Sequence, residues 1–119
     1  VNGFDFINDP FPWRNVDIIT NPPYGDRRGT LAVDFVKRAL DVTRPWKGRV
    51  AMLLPVDFDS GSTRTEIFAE RPEFSHKVVL INRVRWFRGQ SGSTNHAWFL
   101  WNHNNKHMPT ISYAAQDYP

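Results

Sequence analysis

The feature that most constrains this chain is a pair of prolines directly after an apolar segment. Residues 16–20 (VDIIT) are rich in β-branched and apolar side chains, which predicts a buried strand. Asn21, Pro22, Pro23 and Tyr24 follow. A proline has no N–H group to donate to a sheet, and it favours extended backbone in the residue before it. The pair therefore predicts a stiff loop at the carboxyl end of a strand, the edge of an α/β sheet where ligands bind.

The groups in this loop suit a flat substrate that carries an amino group. Asn21 offers an amide oxygen as an acceptor, and the prolines fix the direction of the carbonyl at Pro22 at little entropic cost. Tyr24 offers a ring for stacking, which contributes about 1–3 kcal/mol per base in proteins that bind unpaired nucleotides. Two acceptors that take the NH2 hydrogens would leave the nitrogen lone pair exposed. The alternative is a structural Pro-Pro turn in which Asn21 is only a turn former.

Asn21-Pro22-Pro23-Tyr24 after an apolar strand resembles the catalytic motif of S-adenosylmethionine-dependent amino-methyltransferases. The resemblance covers nearly the whole chain and is greatest to the adenine-N6 DNA methyltransferases, including phage-type ones. It implies methyl transfer to an exocyclic amino group, most simply adenine N6 in DNA, with S-adenosyl-L-methionine as cofactor and nucleic acid as partner. Methylation of RNA or of a protein glutamine stays open, as does a nucleic-acid-binding fragment without catalysis.

The same resemblance implies a cofactor contact at Asp5 and Phe6, which lie at the family's distance before Asn21. In the family this carboxylate accepts from the adenine amino group of the cofactor, and the ring lies beside the adenine. The family also uses a glycine-rich loop after its first strand, whereas Gly3 is the only glycine before Asn21. We therefore expect residues 1–119 to be a single partial methyltransferase domain that lacks the N-terminal glycine-rich half. A second copy or a partner chain would then complete the sheet.

The first half of the chain predicts a parallel crossover unit. Residues 30–42 carry an apolar stripe at helical spacing, with Thr30 as the expected cap, and residues 49–55 form a second continuous apolar strand. A strand, a helix and a strand in this order predict a parallel pair. The predicted fold class is α/β. By the resemblance it is a partial Rossmann-like methyltransferase sheet that holds strands four to seven.

The second half predicts the rest of the sheet. A short helix is expected within residues 60–69, and two further strands at 77–81 and 96–101. The short connection between these two strands predicts an antiparallel hairpin, as at the end of the family's sheet. Residues 109–114 form one more candidate strand.

Basic residues lie next to the motif and next to rings. The formal charge of +3 and the pI of about 9.6 suit a polyanionic partner. Arg27 and Arg28 follow the motif, and Arg88 lies beside Phe87 in the loop between the last two strands. We expect the arginines to meet phosphates, and Phe87, or else Trp86, to be a second ring on the substrate base. The alternative is a solvated basic face above core rings.

Composition excludes several classes of site. The chain has no cysteine, so it can form neither disulfides nor thiolate metal sites. No apolar run is long enough to span a membrane, and we expect a cytoplasmic protein with no membrane partner. Asp57 and Asp59 leave a metal site open as a weak alternative, because carboxylates alone are poor evidence without further ligands nearby.

Overall fold

The computed structural model describes residues 4–26, 28–81 and 95–115, which form a mixed α/β fold. One five-stranded sheet packs against a 14-residue helix, α1 (Thr30–Thr43). The strands in chain order are β1 (Ile18–Thr20), β2 (Arg49–Pro55), β3 (Phe74–Leu80), β4 (His96–Asn102) and β5 (Thr110–Ala114). Within the described residues, no helix is long and apolar enough to cross a membrane.

The order of the strands across the sheet is β1-β2-β4-β3-β5. β1 and β2 run parallel, as the strand-helix-strand order predicts. β4 runs antiparallel to both β2 and β3, so the predicted antiparallel pairing of the third and fourth strands is confirmed. β5 adds parallel to β3 at the edge of the sheet. All strands except β4 therefore point in the same direction.

The main core lies between α1 and one face of the sheet. Because side chains alternate between the two faces of a strand, every second residue of β2 and β4 points at the helix. Trp101 also donates a hydrogen bond from its indole N–H to the carbonyl of Ile67, at 2.8 Å. The central members of this core are Ala32, Val36, Ala39 and Leu40 of α1, Val50, Met52 and Leu54 of β2, and Ala97, Phe99 and Trp101 of β4.

The start of α1 differs from the prediction. Thr30 is the first helical residue and not the cap, and Gly29 at the cap position has no side chain to donate or accept. The carboxylate of Asp26 instead accepts from the backbone N–H groups of Arg28 and Thr30, at 3.0 and 3.3 Å. These bonds, first the one from Thr30, lower the pKa of Asp26. The carboxylate reaches them because the loop before the helix turns back on itself.

The short helix predicted within residues 60–69 is present, and it is a 3-10 helix. This segment forms two 3-10 helices, Phe58–Ser60 and Ser62–Ile67. The next strand, predicted at 77–81, already begins at Phe74, because Phe74 is buried against Phe68 and extends the pairing with β4. The edge strand β1 is shorter than the predicted 16–20.

The chain just before β1 is fixed by contacts with Trp46 and with Arg49, the first residue of β2. The indole N–H of Trp46 donates to the carbonyl of Val16 at 2.8 Å. The carboxylate of Asp17 accepts from the backbone N–H of Arg49 at 2.7 Å and pairs with its guanidinium at 2.9 Å. These bonds lower the pKa of Asp17, the backbone N–H most strongly. They fix the starting point of β1 and thereby the position of the loop that follows it.

Gly48→Ala tests this attachment. A methyl group at Gly48 would lie 2.5 Å from the Val16 carbonyl oxygen and 2.8 Å from the Trp46 indole nitrogen. We expect the overlap to cost about 1–3 kcal/mol of unfolding free energy, measured by urea denaturation. Ser62→Ala, at an exposed position, is the control and should change stability by less than about 0.5 kcal/mol. Equal midpoints for both variants would contradict the tight packing at Gly48.

Candidate functional site

Three strand ends meet at one edge of the sheet. β1 and β2 are parallel, so their carboxyl ends at Thr20 and Pro55 lie on the same side. β4 is antiparallel, and its first residue, His96, pairs with Pro55. Asn21, which follows β1 directly, is therefore brought close to the end of β2 and the start of β4. The topology alone thus builds a concave edge around the proline loop.

A cavity of about 360 Å³ opens at this edge. Small-molecule sites in proteins fall in a range of roughly 300–1,000 Å³. Pro22 is buried, Tyr24 is half-buried and Asn21 is exposed, whereas Pro23 is exposed outside the lining. The lining thus combines three residues of the motif with apolar strand ends and one imidazole: Asn21, Pro22, Tyr24, Leu53, Leu54, Pro55 and His96.

The ring of Tyr24 is held by contacts with its neighbours. Its edge packs on the Phe58 ring, with centroids 5.8 Å apart and planes at 69°. Gly29 adopts φ +69°, and a methyl group there would lie 2.7 Å from the Tyr24 ring and 2.9 Å from the Phe58 ring. The backbone N–H of Ala32 donates to the Tyr24 carbonyl at 3.4 Å. The orientation of the ring is therefore fixed by a glycine, a buried aromatic and the first turn of α1.

Asp5 and Phe6 lie outside this cavity, beside α1. The Asp5 carboxylate accepts from the side-chain amide of Asn8 at 2.8 Å and from the backbone N–H groups of Ile7 and Asn8 at 2.9 and 3.2 Å. These bonds, above all that of the Asn8 side chain, lower the pKa of Asp5. The Phe6 ring stacks on Phe35, with centroids 5.0 Å apart.

The exposed carboxylate of Asp5 fits one end of the expected cofactor. Its Oδ2 accepts a single hydrogen bond from the described residues, so a lone pair is left for an amino group. The next residue, Phe6, is half-buried, with its ring against Phe35 and Phe11. These two residues fit an adenine, whereas the glycine-rich loop that would hold the rest of the cofactor has no counterpart before Asn21 in the sequence.

The predicted basic and aromatic contacts are only partly described. Arg28 is exposed next to the motif, where its side chain is accessible to a phosphate. Arg27, Phe87 and Arg88, together with the alternative ring Trp86, lie outside the described residues.

His96 is the lining residue that the sequence interpretation did not identify. The sequence predicts His96 only as the first residue of a strand, and its neighbours along the chain do not indicate a ligand. Its place in the cavity depends on the pairing of β4 with β2, which sets it opposite Pro55. Strand partners many residues apart would have to be known before this histidine could be assigned to the site.

The two carboxylates after β2 have different surroundings. Asp57 is exposed, and Asp59 accepts two hydrogen bonds from the Lys77 ammonium at 3.0 and 3.1 Å. Lys77 therefore neutralises one of the two charges that a metal would need. Among residues 4–26, 28–81 and 95–115, no group of three or more candidate ligands forms a metal site.

A larger cavity, of about 670 Å³, shares no lining residue with the first. It lies between the turn before β3 and the segment before β5, and Phe68, Phe74 and Met108 contribute to its mainly apolar wall. None of the residues singled out by the motif lines it, so its size alone does not connect it with the chemistry at the strand ends.

Comparison with known proteins identifies a similar fold. No protein-family profile and no curated protein matches the chain. A solved structure from a study of complex assembly and conformational transition in a type I restriction-modification system does match, with a TM-score of 0.57 and 20% sequence identity. The match covers 87% of this chain but 24% of the other, so this chain spans about a quarter of that protein's length. At this identity the likeness establishes a shared fold.

Gly29→Ala tests how the Tyr24 ring is held. The added methyl group meets both rings, and φ of +69° is unfavourable for alanine, so we expect a loss of about 2–4 kcal/mol in unfolding free energy. Aromatic NMR signals of Tyr24, assigned with a Tyr24→Phe variant, should shift. Asp34→Ala, at an exposed position of α1, should leave these signals in place. Unshifted Tyr24 signals in folded Gly29→Ala would show that the ring is not fixed as described.

Proposed function

We propose that this chain is the base-holding part of an S-adenosylmethionine-dependent N-methyltransferase that acts on an exocyclic amino group, most simply adenine N6 in DNA. One observation carries the proposal. Asn21, Pro22 and Tyr24 line a single cavity at the carboxyl ends of two parallel strands. Ligands of open α/β sheets bind at such edges. An amide oxygen, a fixed carbonyl and a ring are the three groups that a flat base with an NH2 group requires.

The proposed roles follow from the chemistry of these groups. The Asn21 side-chain oxygen and the Pro22 carbonyl accept the two amino hydrogens, and Tyr24 stacks on the ring. Both acceptors lie on a loop stiffened by proline, so the amino nitrogen is oriented with its lone pair free. When bound, the cofactor supplies an activated methyl group to that nitrogen. The nitrogen then loses one proton to solvent, so the chain needs no strong base.

A base in a duplex is not accessible to this cavity, so the substrate nucleotide must leave the stack. Unstacking costs a few kcal/mol, and stacking on Tyr24 repays part of it. Arg28, with the neighbouring Arg27, is proposed to neutralise the adjacent phosphates, and Phe87 with Arg88 to add a ring and a charge from the loop after β3. A base that is already unpaired is the simplest ligand for binding studies.

Asp5 and Phe6 are proposed to hold the adenine of S-adenosyl-L-methionine. Asp5 keeps an accepting lone pair and Phe6 offers a half-buried ring, and further polypeptide, in the same protein or in another chain, would hold the remainder of the cofactor. The edge strand β1 and the exposed Ile19, with 71% of its surface accessible, offer such a polypeptide a sheet edge and an apolar contact. A second copy of the chain or a partner chain would fill this place. Residues 1–119 are accordingly proposed to be a partial methyltransferase domain.

The similar structure supports a role in nucleic-acid modification. It comes from a type I restriction-modification system, and its chain is about four times longer than the part that this chain matches. A binding module without catalysis is the second candidate, and one observation favours it: Asp5 and Phe6 do not line the cavity that holds the motif. If the substrate were RNA or a protein glutamine, Asn21 and Pro22 would accept the hydrogens of its amino group in the same way.

The proposal predicts that the amino group, and not only the ring, is recognised. Single-stranded thymine oligonucleotides with one central adenine, or with one central purine that lacks the amino group, would be titrated by fluorescence anisotropy. We expect adenine to bind about 5–30-fold more tightly than purine, because purine has no amino group to donate to the two acceptors of the loop. Asn21→Ala should reduce this difference to about twofold or less, whereas Tyr24→Ala should weaken both oligonucleotides by about tenfold.

Thr30→Ala, an exposed change close to the loop, is the control and should keep the adenine preference. An Asn21→Ala variant with the full preference for adenine would contradict the assignment of the amide as an acceptor. Equal binding of adenine and purine by the unaltered chain would contradict the proposal itself.

A further inference from the structure

Arg64 connects two segments that flank the Tyr24 ring. It lies in the 3-10 helix Ser62–Ile67, and its guanidinium carbon is 3.9 Å from the centre of the Phe58 ring. One terminal nitrogen donates to the Phe58 carbonyl at 3.0 Å, and the other donates to the carbonyl of Arg28. A single planar group therefore holds both the segment after β2 and the loop after the proline motif.

Both of these segments pack on Tyr24. The Phe58 ring contacts the Tyr24 ring, and the loop that contains Arg28 continues into Gly29, on which both rings lie. If Arg64 moved, Phe58 and the loop would lose their common anchor, and the face that Tyr24 presents to the cavity would change. The contact runs from Arg64 through Phe58 to the ring that lines the cavity.

Arginine has the geometry that this position needs. Its rigid fork donates in two directions while its plane stacks on an aromatic ring, and a lysine ammonium cannot do these things together. The Nε of Arg64 is buried without a hydrogen-bond partner in the described part of the chain. Such a burial is costly, so the contacts of the terminal nitrogens and of the stacked plane must compensate for it.

We propose that Arg64 is a positioning residue, which sets the orientation of Tyr24 for stacking on the substrate base by bridging the carbonyls of Arg28 and Phe58. The inference rests on the proposed function, because it assigns Arg64 to the same base-binding cavity. Arg64 itself does not line that cavity. Its effect is therefore expected on how the base stacks, and not on recognition of the amino group.

Arg38 provides a matched control. It also bridges two backbone carbonyls, donating from Nε to Phe6 at 3.1 Å and from a terminal nitrogen to Asp9 at 2.7 Å. Like Arg64 it is half-buried. The two carbonyls belong to the loop before β1, and the described ring contacts of Phe6 are with Phe11 and Phe35, not with Tyr24. Lysine at either position removes a bridge between two carbonyls, but only Arg64 also stacks on Phe58, whose ring contacts Tyr24.

The test uses the full chain without added cofactor and an oligonucleotide with one 2-aminopurine among thymines, whose fluorescence falls when the base stacks. We expect Arg64→Lys to weaken binding by about three- to tenfold and to reduce the quenching at saturation. Arg38→Lys should stay within about twofold of the unaltered chain. The thermal unfolding temperature should fall in both variants, since each loses one bridged pair of carbonyls.

The outcomes separate this inference from the proposed function. If Tyr24→Ala leaves the quenching unchanged, the proposed function fails. If Tyr24→Ala removes the quenching while Arg64→Lys retains it, the function stands and the role of Arg64 is overturned. Equal losses in Arg64→Lys and Arg38→Lys would also overturn it, since they would indicate a general loss of stability. Should Arg64→Lys not fold, Arg64→Met keeps an unbranched side chain but removes both donors, and it must show the same reduced quenching.

Discussion

The structure depends on the point at which β1 must end. Pro22 and Pro23 cannot donate to a sheet, so the chain leaves β2 directly after Thr20. Because β1 and β2 are parallel, this exit lies beside the carboxyl end of β2. The antiparallel β4 begins at the same edge. One backbone constraint and one topology thus place Asn21, Pro22 and Tyr24 around a shared cavity.

The ring is the part of the site that depends most on the remainder of the fold. Asn21 and Pro22 are oriented by their own backbone, but Tyr24 is oriented by contacts with Gly29 and Phe58. Phe58 is fully buried in the main core. The core and the orientation of the Tyr24 ring are therefore linked, and Arg64 lies against the residue that links them.

Sequence patterns predicted the elements in which apolar residues recur at a regular spacing. The apolar stripe of α1, the continuous apolar β2 and the alternating aromatic β4 each carry their periodicity within a short window. The 3-10 helices and the early start of β3 at Phe74 were not predictable in this way, because they depend on contacts such as Phe68 with Phe74. The capping of α1 by the Asp26 carboxylate was not predictable either, because it depends on the path of the loop before the helix.

The candidate site likewise combines features that are local in sequence with features that depend on long-range contacts. The proline motif could be recognised from adjacent residues, whereas His96 enters the cavity only through the pairing of β4 with β2. Arg64 likewise acts on a loop 36 residues before it in the chain. Local residue types therefore predicted which loop to examine, and long-range pairing determined which further side chains lie around it.

The most direct test is a structure of the chain bound to a single-stranded oligonucleotide that carries one adenine. The account predicts that the adenine amino nitrogen lies about 3 Å from both the Asn21 side-chain oxygen and the Pro22 carbonyl, with the base stacked on Tyr24. Adenine bound at another surface, or in this cavity with its amino group directed into solvent, would contradict it.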